Sequence, residues 1–142
     1  MQAQRSLFMK IRYLLISLLF SSGVAVSAGE TAGKLYFISP QNGAVVSGPV
    51  TVQFGLTGFG VAPAGVQQAH TGHHHLLIDT DLPPMNLPVP SDANHLHFGG
   101  GQTETTIELT PGEHTLQLLL GDFSHIPHDP PLLSERITIT VE

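Results

Sequence analysis

The sequence has no cysteine, no tryptophan and few basic residues. Without thiolate ligands the chain can form neither a disulfide nor a blue-copper centre, whose metal requires a Cys ligand. The lack of tryptophan, with an aromatic content of 6%, also counts against an aromatic platform for binding sugars. Five Lys and Arg residues stand against eleven Asp and Glu residues. What remains is an acidic chain that carries nine histidines.

The N-terminal segment has the composition of a secretory signal peptide. Lys10 and Arg12 form a basic start, residues 13–20 form a short apolar run, and residues 26–28 are the small side chains that a signal peptidase reads. The apolar run is too short to span a bilayer comfortably. We therefore predict a cleaved signal peptide over residues 1–28. The protein is then periplasmic or secreted, and it is not an integral membrane protein.

Cleavage would leave residues 29–142, which are enough for one domain with a modest core. Lys34 and Arg136 are the only basic residues of this part, and all eleven acids lie in it, so its formal charge is −9. Nucleic-acid phosphates require Lys and Arg, and we therefore expect no nucleic-acid partner. Such a charge suits a cation.

The apolar residues of this domain follow the period of a strand, and no stretch follows the period of a helix. Residues 50, 52, 54 and 56 are apolar and alternate with other residues, as in a half-buried strand. Gly and Pro separate the segments. We predict a single all-β domain, an antiparallel β-sandwich of about seven strands, with a small barrel as the alternative. The predicted strands are 34–38, 50–56, 73–79, 95–98, 103–109, 114–120 and 136–141.

Histidines are concentrated in three places along this domain. Residues i and i+2 of a strand share a face, so His73 and His75 project from one surface, as do His95 and His97. The two rings of such a pair are about 6.5–7 Å apart, close enough to converge on one ion. His125 and His128 lie in a predicted loop and supply further ligands. The predicted metal ligands are His73, His75, His95, His97, His125 and His128.

Imidazole ligands suit copper or zinc, which are the cofactors that we expect. Four aspartates near the histidines in sequence would orient the rings by hydrogen bonds or bind the metal directly; they are Asp79, Asp81, Asp122 and Asp129. Taken alone, any one of these histidines is more simply interpreted as a loop residue that forms hydrogen bonds. His114 begins a strand after a turn, and we interpret it as structural. His70 remains open.

Motifs for other chemistry are missing. Gly99, Gly100 and Gly101 lack the strand–loop–helix context and the lysine of a phosphate-binding loop, and we expect a tight bend there. No nucleophile-elbow pattern accompanies the serines. We therefore predict no catalytic residues.

Four segments carry a resemblance to a known family: TGHHHLLID at 71–79, HLHFGGGQTET at 95–105, GEHTLQL at 112–118 and HIPHDPP at 125–131. On these segments the chain resembles the DUF4399 family over roughly residues 37–141. That resemblance implies an exported bacterial protein, and the function of the family is unknown.

Two further segments, ISPQNG at 38–43 and PVTV at 49–52, resemble the opening of bacterial Ig-like domains. This second resemblance implies that the sandwich is Ig-like.

Three functions are consistent with these patterns. The first is a histidine-rich periplasmic module that binds copper or zinc for storage, delivery or sensing. The second is a metal-free module that binds an envelope protein or other envelope ligand through loops 58–72, 81–94 and 121–131, gathered at one end of the sandwich. The third, less favoured, is a metalloenzyme, which would need an open coordination position on the metal.

Overall fold

The chain forms nine β-strands within residues 33–142, the part of the chain that this computed structural model describes. The predicted signal peptide, residues 1–28, lies outside the described residues. The strands are β1 (Lys34–Ser39), β2 (Val45–Val46), β3 (Val50–Thr57), β4 (Gly60–Val61), β5 (Thr71–Ile78), β6 (His95–His97), β7 (Glu104–Ile107), β8 (Gly112–Gly121) and β9 (Ile137–Val141).

All seven predicted strands are present, with ends that differ by a few residues at most. The structure adds two strands of two residues each, β2 and β4. Strand β4 lies within the stretch 58–72 that was predicted to be a loop. Both short strands pair in parallel, β2 with β9 and β4 with β5. Two residues are too few to show a period, so these pairs depend on the neighbouring strand.

The strands form two sheets, which confirms the all-β sandwich and excludes the barrel alternative. The smaller sheet has the order β1-β3-β7, and the larger has the order β2-β9-β8-β5-β4, with β6 also paired to β5. The pairings of β5 with β6 and β8 are antiparallel. Strand β5 therefore has partners on both edges.

The main core lies between the two sheets. Leu116, Leu118 and Leu120 of β8 face it from the larger sheet and are fully buried. Burying a leucine side chain contributes roughly 1.5–3 kcal/mol. Across from β8, the smaller sheet supplies Val52 and Phe54. This core fixes which face of each strand points inward.

The outer face of the larger sheet is covered as well. Leu77 and Leu119 on that face form a second buried cluster with Val89, which belongs to the long segment between β5 and β6. The N–H of Val89 donates to the carbonyl of His125, which holds this segment against the loop after β8. As a result β5 is buried on both faces. The covered outer face contains the candidate site.

The described part of the chain, residues 33–142, includes no helix with the length and apolar character needed to cross a bilayer.

Candidate metal centre

Strands β5 and β6 place three neighbouring histidines on the outer face of the larger sheet, next to His95, which lies one pleat away on the same face. His75 lies opposite His97 in the antiparallel ladder, and His73 is one pleat further along β5. Because side chains of a strand alternate, His74 points to the opposite face, into the core. A fourth histidine, His125, comes from the loop after β8. These four residues, His73, His75, His97 and His125, are called the His cluster below.

The rings of the His cluster are close to one another. The ring centroids of His73, His97 and His125 form a nearly equilateral triangle with sides of 4.9, 5.0 and 4.7 Å. The centroid of His75 is 4.8 Å from that of His73, 5.2 Å from that of His97 and 6.2 Å from that of His125. His75 therefore lies beside the triangle, on the side away from His125.

The dimensions of the triangle suit a metal ion. One ring nitrogen from each of His73, His97 and His125 lies within 4.8 Å of the other two. The centre of a triangle with sides of 4.8 Å is about 2.8 Å from each corner, and imidazole binds zinc at about 2.0–2.1 Å. The nitrogens would therefore move inward by less than about 1 Å to bind one ion, a shift within reach of side-chain rotation.

Buried nitrogens of the His cluster have no hydrogen-bond partner. His73 and His75 are 0% exposed, and neither ring nitrogen of either residue makes a hydrogen bond. Leaving a buried polar group unpaired costs roughly 1–3 kcal/mol. In contrast, His97 and His125 reach solvent. The cluster thus has a closed side on the sheet and an open side at the surface, and its buried lone pairs are free to bind a ligand.

Two glycines make room for the rings. A Cβ atom added at Gly121 would lie 2.7 Å from Cε1 of His75, and one added at Gly99 would lie 2.3 Å from Cε1 of His97. Distances under 3.0 Å are not tolerated without a shift of one of the atoms. Neither glycine was predicted to contribute in this way. Gly121 lies opposite His73 in the antiparallel pairing of β5 with β8. Its role could therefore be read from the sequence only once that pairing is known.

A strained turn directs the ring of His125 toward the rings of His73 and His97. His125 has φ of 70°, in the left-handed region that is uncommon for residues other than glycine. The carboxylate of Asp122 holds the turn, accepting hydrogen bonds from the N–H groups of Ser124 and Ile126 and from the Ser124 hydroxyl. Burial raises the pKa of Asp122, but these hydrogen bonds outweigh it and lower the pKa overall. Strain of this kind, held by a defined network, is frequent at functional sites.

The buried histidines are neutral at pH 7. Burial, followed by the charges of His97 and His125, lowers the pKa of His73 to about 4. Burial, followed by the charge of His73, lowers the pKa of His75 to about 3. Burial also lowers the pKa of His97. Neutral imidazole is the form that binds metal ions, so the buried rings of His73 and His75 need not lose a proton to bind one.

Two of the six predicted ligands lie elsewhere. His95 is opposite Leu77, one pleat beyond His75, and its Nδ1 is 2.9 Å from a carboxylate oxygen of Asp92. Asp92 was not predicted, although an aspartate three residues before a histidine is a recognisable turn pattern. His128 packs its ring against Phe59, with centroids 5.1 Å apart. The structure therefore brings together four of the six histidines.

The four predicted aspartates have other roles. Asp79 contacts His114, and Asp81 contacts the guanidinium of Arg136. Asp122 holds the turn before His125. Asp129 is exposed and precedes Pro130. Among the hydrogen bonds described within residues 33–142, none joins these carboxylates to a ring of the His cluster.

The remaining histidines are not part of the cluster. His74 is 0% exposed and its ring packs 5.0 Å from that of Phe54 in the core. His114 contributes hydrogen bonds at the other end of β8, in agreement with its structural interpretation. His70 is exposed, and its ring lies against the ring of Phe59.

Comparison with known families identifies the chain. A family model described as a domain of unknown function, DUF4399, matches residues 52–142, from β3 to the last residue. The matched region includes the whole His cluster. Neither the curated proteins nor the solved structures contain a match to the chain. Because the family model covers well over half of the sequence, the chain belongs to the DUF4399 family.

Proposed function

We propose that this protein binds one copper or zinc ion through His73, His97 and His125, and that it serves in storage, delivery or sensing of that metal in the periplasm or outside the cell. The signal-like N-terminus supports the location. No catalytic residue is assigned. The proposed partner is the metal ion itself, together with any envelope protein that exchanges it.

One observation carries this proposal. Three imidazoles from β5, β6 and the loop after β8 converge with nearly equal spacing, and the buried ring of His73 has no hydrogen bond at either nitrogen. The core residue His74 also has two unpaired ring nitrogens, but its ring packs against Phe54. What distinguishes His73 is that its ring meets those of His97 and His125. Binding a metal satisfies the bare nitrogen and offsets the cost of burying it.

The ligand set favours copper or zinc over harder cations. Magnesium and calcium prefer oxygen ligands, and the cluster offers neutral nitrogens. The chain has no cysteine, so thiolate ligands do not compete for the ion. Its acidic surface also attracts cations from solution.

The decisive experiment compares two adjacent histidines on opposite faces of β5. The full chain is exported, purified without a histidine tag, and its metal content is measured before and after titration with Cu(II) and Zn(II). We expect about one metal per chain in the wild type, and no stoichiometric binding in His73→Phe. His74→Phe is the matched control: both side chains are 0% exposed, but His74 faces the core, and we expect this variant to bind as the wild type does.

A metal-free function is the outcome that would replace this proposal. If the wild type binds no metal stoichiometrically, the loops around the cluster become the better candidates. The N–H groups of Ala64 and Gly65 donate to the carbonyls of Gly99 and Phe123, so these segments are in contact. Val61, Val66 and Phe123 expose apolar surface in these loops. In that case the protein would be a binding module for an envelope ligand.

A further inference from the structure

The geometry of the His cluster points to an open coordination position, and we propose that a small anion from solution binds the metal there. This inference rests on the proposed metal-binding function and deepens it. The anion would bind on the solvent side of the triangle formed by His73, His97 and His125. His75 would remain outside the coordination sphere.

The position of His75 is the first argument. Four ligands of a tetrahedral ion are equally far from one another. The ring centroids at the corners of the triangle are 4.7–5.0 Å apart, whereas the ring centroid of His75 is 6.2 Å from that of His125. His75 would therefore have to move by about 1 Å or more toward His125 to complete a tetrahedron.

The surroundings of His75 oppose such a movement. The ring is 0% exposed and packs beside Gly121, where even a methyl group has no room. Protein interiors are close-packed, so a buried ring does not shift by 1 Å without displacing its neighbours. His97 and His125, in contrast, reach solvent. The fourth position of the metal is therefore directed outward.

Charge is the second argument. Three neutral imidazoles leave the full charge of a divalent ion uncompensated, and an anion neutralises part of it. Residues 55–78 and 93–103, which supply β5, β6 and the adjoining loops, contain no Asp, Glu, Lys or Arg. The nearby carboxylate of Asp122 is held in its own turn by three hydrogen bonds to Oδ1, and Asp122 is not among the residues whose ligand atoms converge at the triangle. The protein thus places no carboxylate of these segments at the open position, and the anion comes from solution.

Azide is the probe for this site. The full chain is loaded with one equivalent of Cu(II) and titrated with sodium azide while visible absorption is recorded. We expect an azide-to-copper charge-transfer band that saturates at one azide per copper. The same titration on His75→Leu is expected to saturate similarly, because His75 is not a ligand.

The alternative outcomes are distinct. If the wild type binds copper stoichiometrically but gives no azide band, His75 or another group closes the coordination sphere and the anion proposal is wrong, while the metal proposal stands. Appearance of the band only in His75→Leu would identify His75 as the fourth ligand. If neither Cu(II) nor Zn(II) binds stoichiometrically, the metal proposal fails first. The wild-type titration decides the question even if the variant does not fold.

Discussion

The ring of His75 occupies the space beside Gly121, where an added Cβ would lie 2.7 Å from Cε1 of the ring and 3.2 Å from Nδ1. The same atom would lie 3.4 Å from the backbone carbon of His125. Residue 121 therefore limits the positions of two members of the His cluster. A single methyl group at this position tests how tightly the cluster is packed.

We expect Gly121→Ala to disturb the His cluster. The methyl group displaces the His75 ring, which packs against the rings of His73 and His97. Metal affinity should therefore fall at least about tenfold, or about 1.4 kcal/mol. Overpacking should also lower the free energy of unfolding by roughly 1–3 kcal/mol. Calorimetric titration and urea unfolding measure the two effects.

Gly60→Ala is the control for Gly121→Ala. Its added Cβ would approach a side-chain methyl of Thr71 at 3.3 Å, at the edge of the sheet. We expect the metal affinity and the free energy of unfolding to change little. Equal effects of the two substitutions would show that the space beside His75 has no special role.

The two histidines of β6 should differ in their effect on metal binding. His97 belongs to the triangle, and His95 is hydrogen-bonded to Asp92. His97→Ala should abolish stoichiometric binding of Cu(II) or Zn(II), because two remaining ligands hold an ion poorly. His95→Ala should retain binding, with a small loss of stability from the missing hydrogen bond. Loss of metal in both variants would mean that His95 turns toward the ion when the metal binds.

Two substitutions of His125 can separate the contribution of its ring to metal binding from the contribution of its backbone to the turn. Asparagine tolerates the left-handed conformation better than alanine does, so His125→Asn should preserve the turn at φ of 70°. Both His125→Asn and His125→Ala should lose stoichiometric metal binding. In the presence of a chelator, the alanine variant should be less stable than the asparagine variant by about 1 kcal/mol, measured by urea unfolding. Retained binding in either variant would remove His125 from the ligand set.

His114 should give the protein a distinct pH dependence of stability. Its Nδ1 lies 2.6 Å from a carboxylate oxygen of Asp79, and its Nε2 lies 2.8 Å from the carbonyl of Thr110. Both partners accept hydrogen bonds, so both ring nitrogens donate and the ring is protonated. The hydrogen bond that His114 donates to Asp79, followed by the one that it donates to the carbonyl of Thr110, raises the pKa of His114 above 6.5. Burial raises the pKa of Asp79, but the contact with His114 and the N–H of Thr115 lower it below 3.8 overall.

The signs of the two pKa shifts define the pH range in which this pair stabilises the protein. Stabilisation from His114 is fully present below pH 6.5 and is lost as the pH rises through its elevated pKa. Stabilisation from Asp79 is present above pH 3.8 and is lost as the pH falls through its depressed pKa. Urea unfolding of the wild type and His114→Gln should therefore differ more at pH 5.5 than at pH 9. A difference that is the same at both values would contradict a protonated His114.

The strands were predictable because one physical pattern determines them. Alternation in 50–56 and 114–120 requires one buried face, and the structure confirms strands at both places. The same rule separated His74 from its neighbours on β5, since residues i and i+2 share a face. The family resemblance was confirmed by the match over residues 52–142.

The composition of the candidate site was only partly predictable. The strand period paired His95 with His97, but the ring of His95 is hydrogen-bonded to the carboxylate of Asp92, away from the cluster. In the loop, sequence spacing did not distinguish His125 from His128, because the choice depends on the turn that Asp122 holds. The room for the rings at Gly99 and Gly121 also depends on how separate segments pack.

The sequence by itself determined the all-β class, the strand positions and the pairs of histidines that share a face, since these follow from a period of two along a single segment. Only the tertiary structure decided which four of the nine histidines meet. That meeting requires β5, β6 and the loop after β8 to lie side by side. Their arrangement is governed by strand pairing and burial between residues far apart in the chain, which no local pattern encodes.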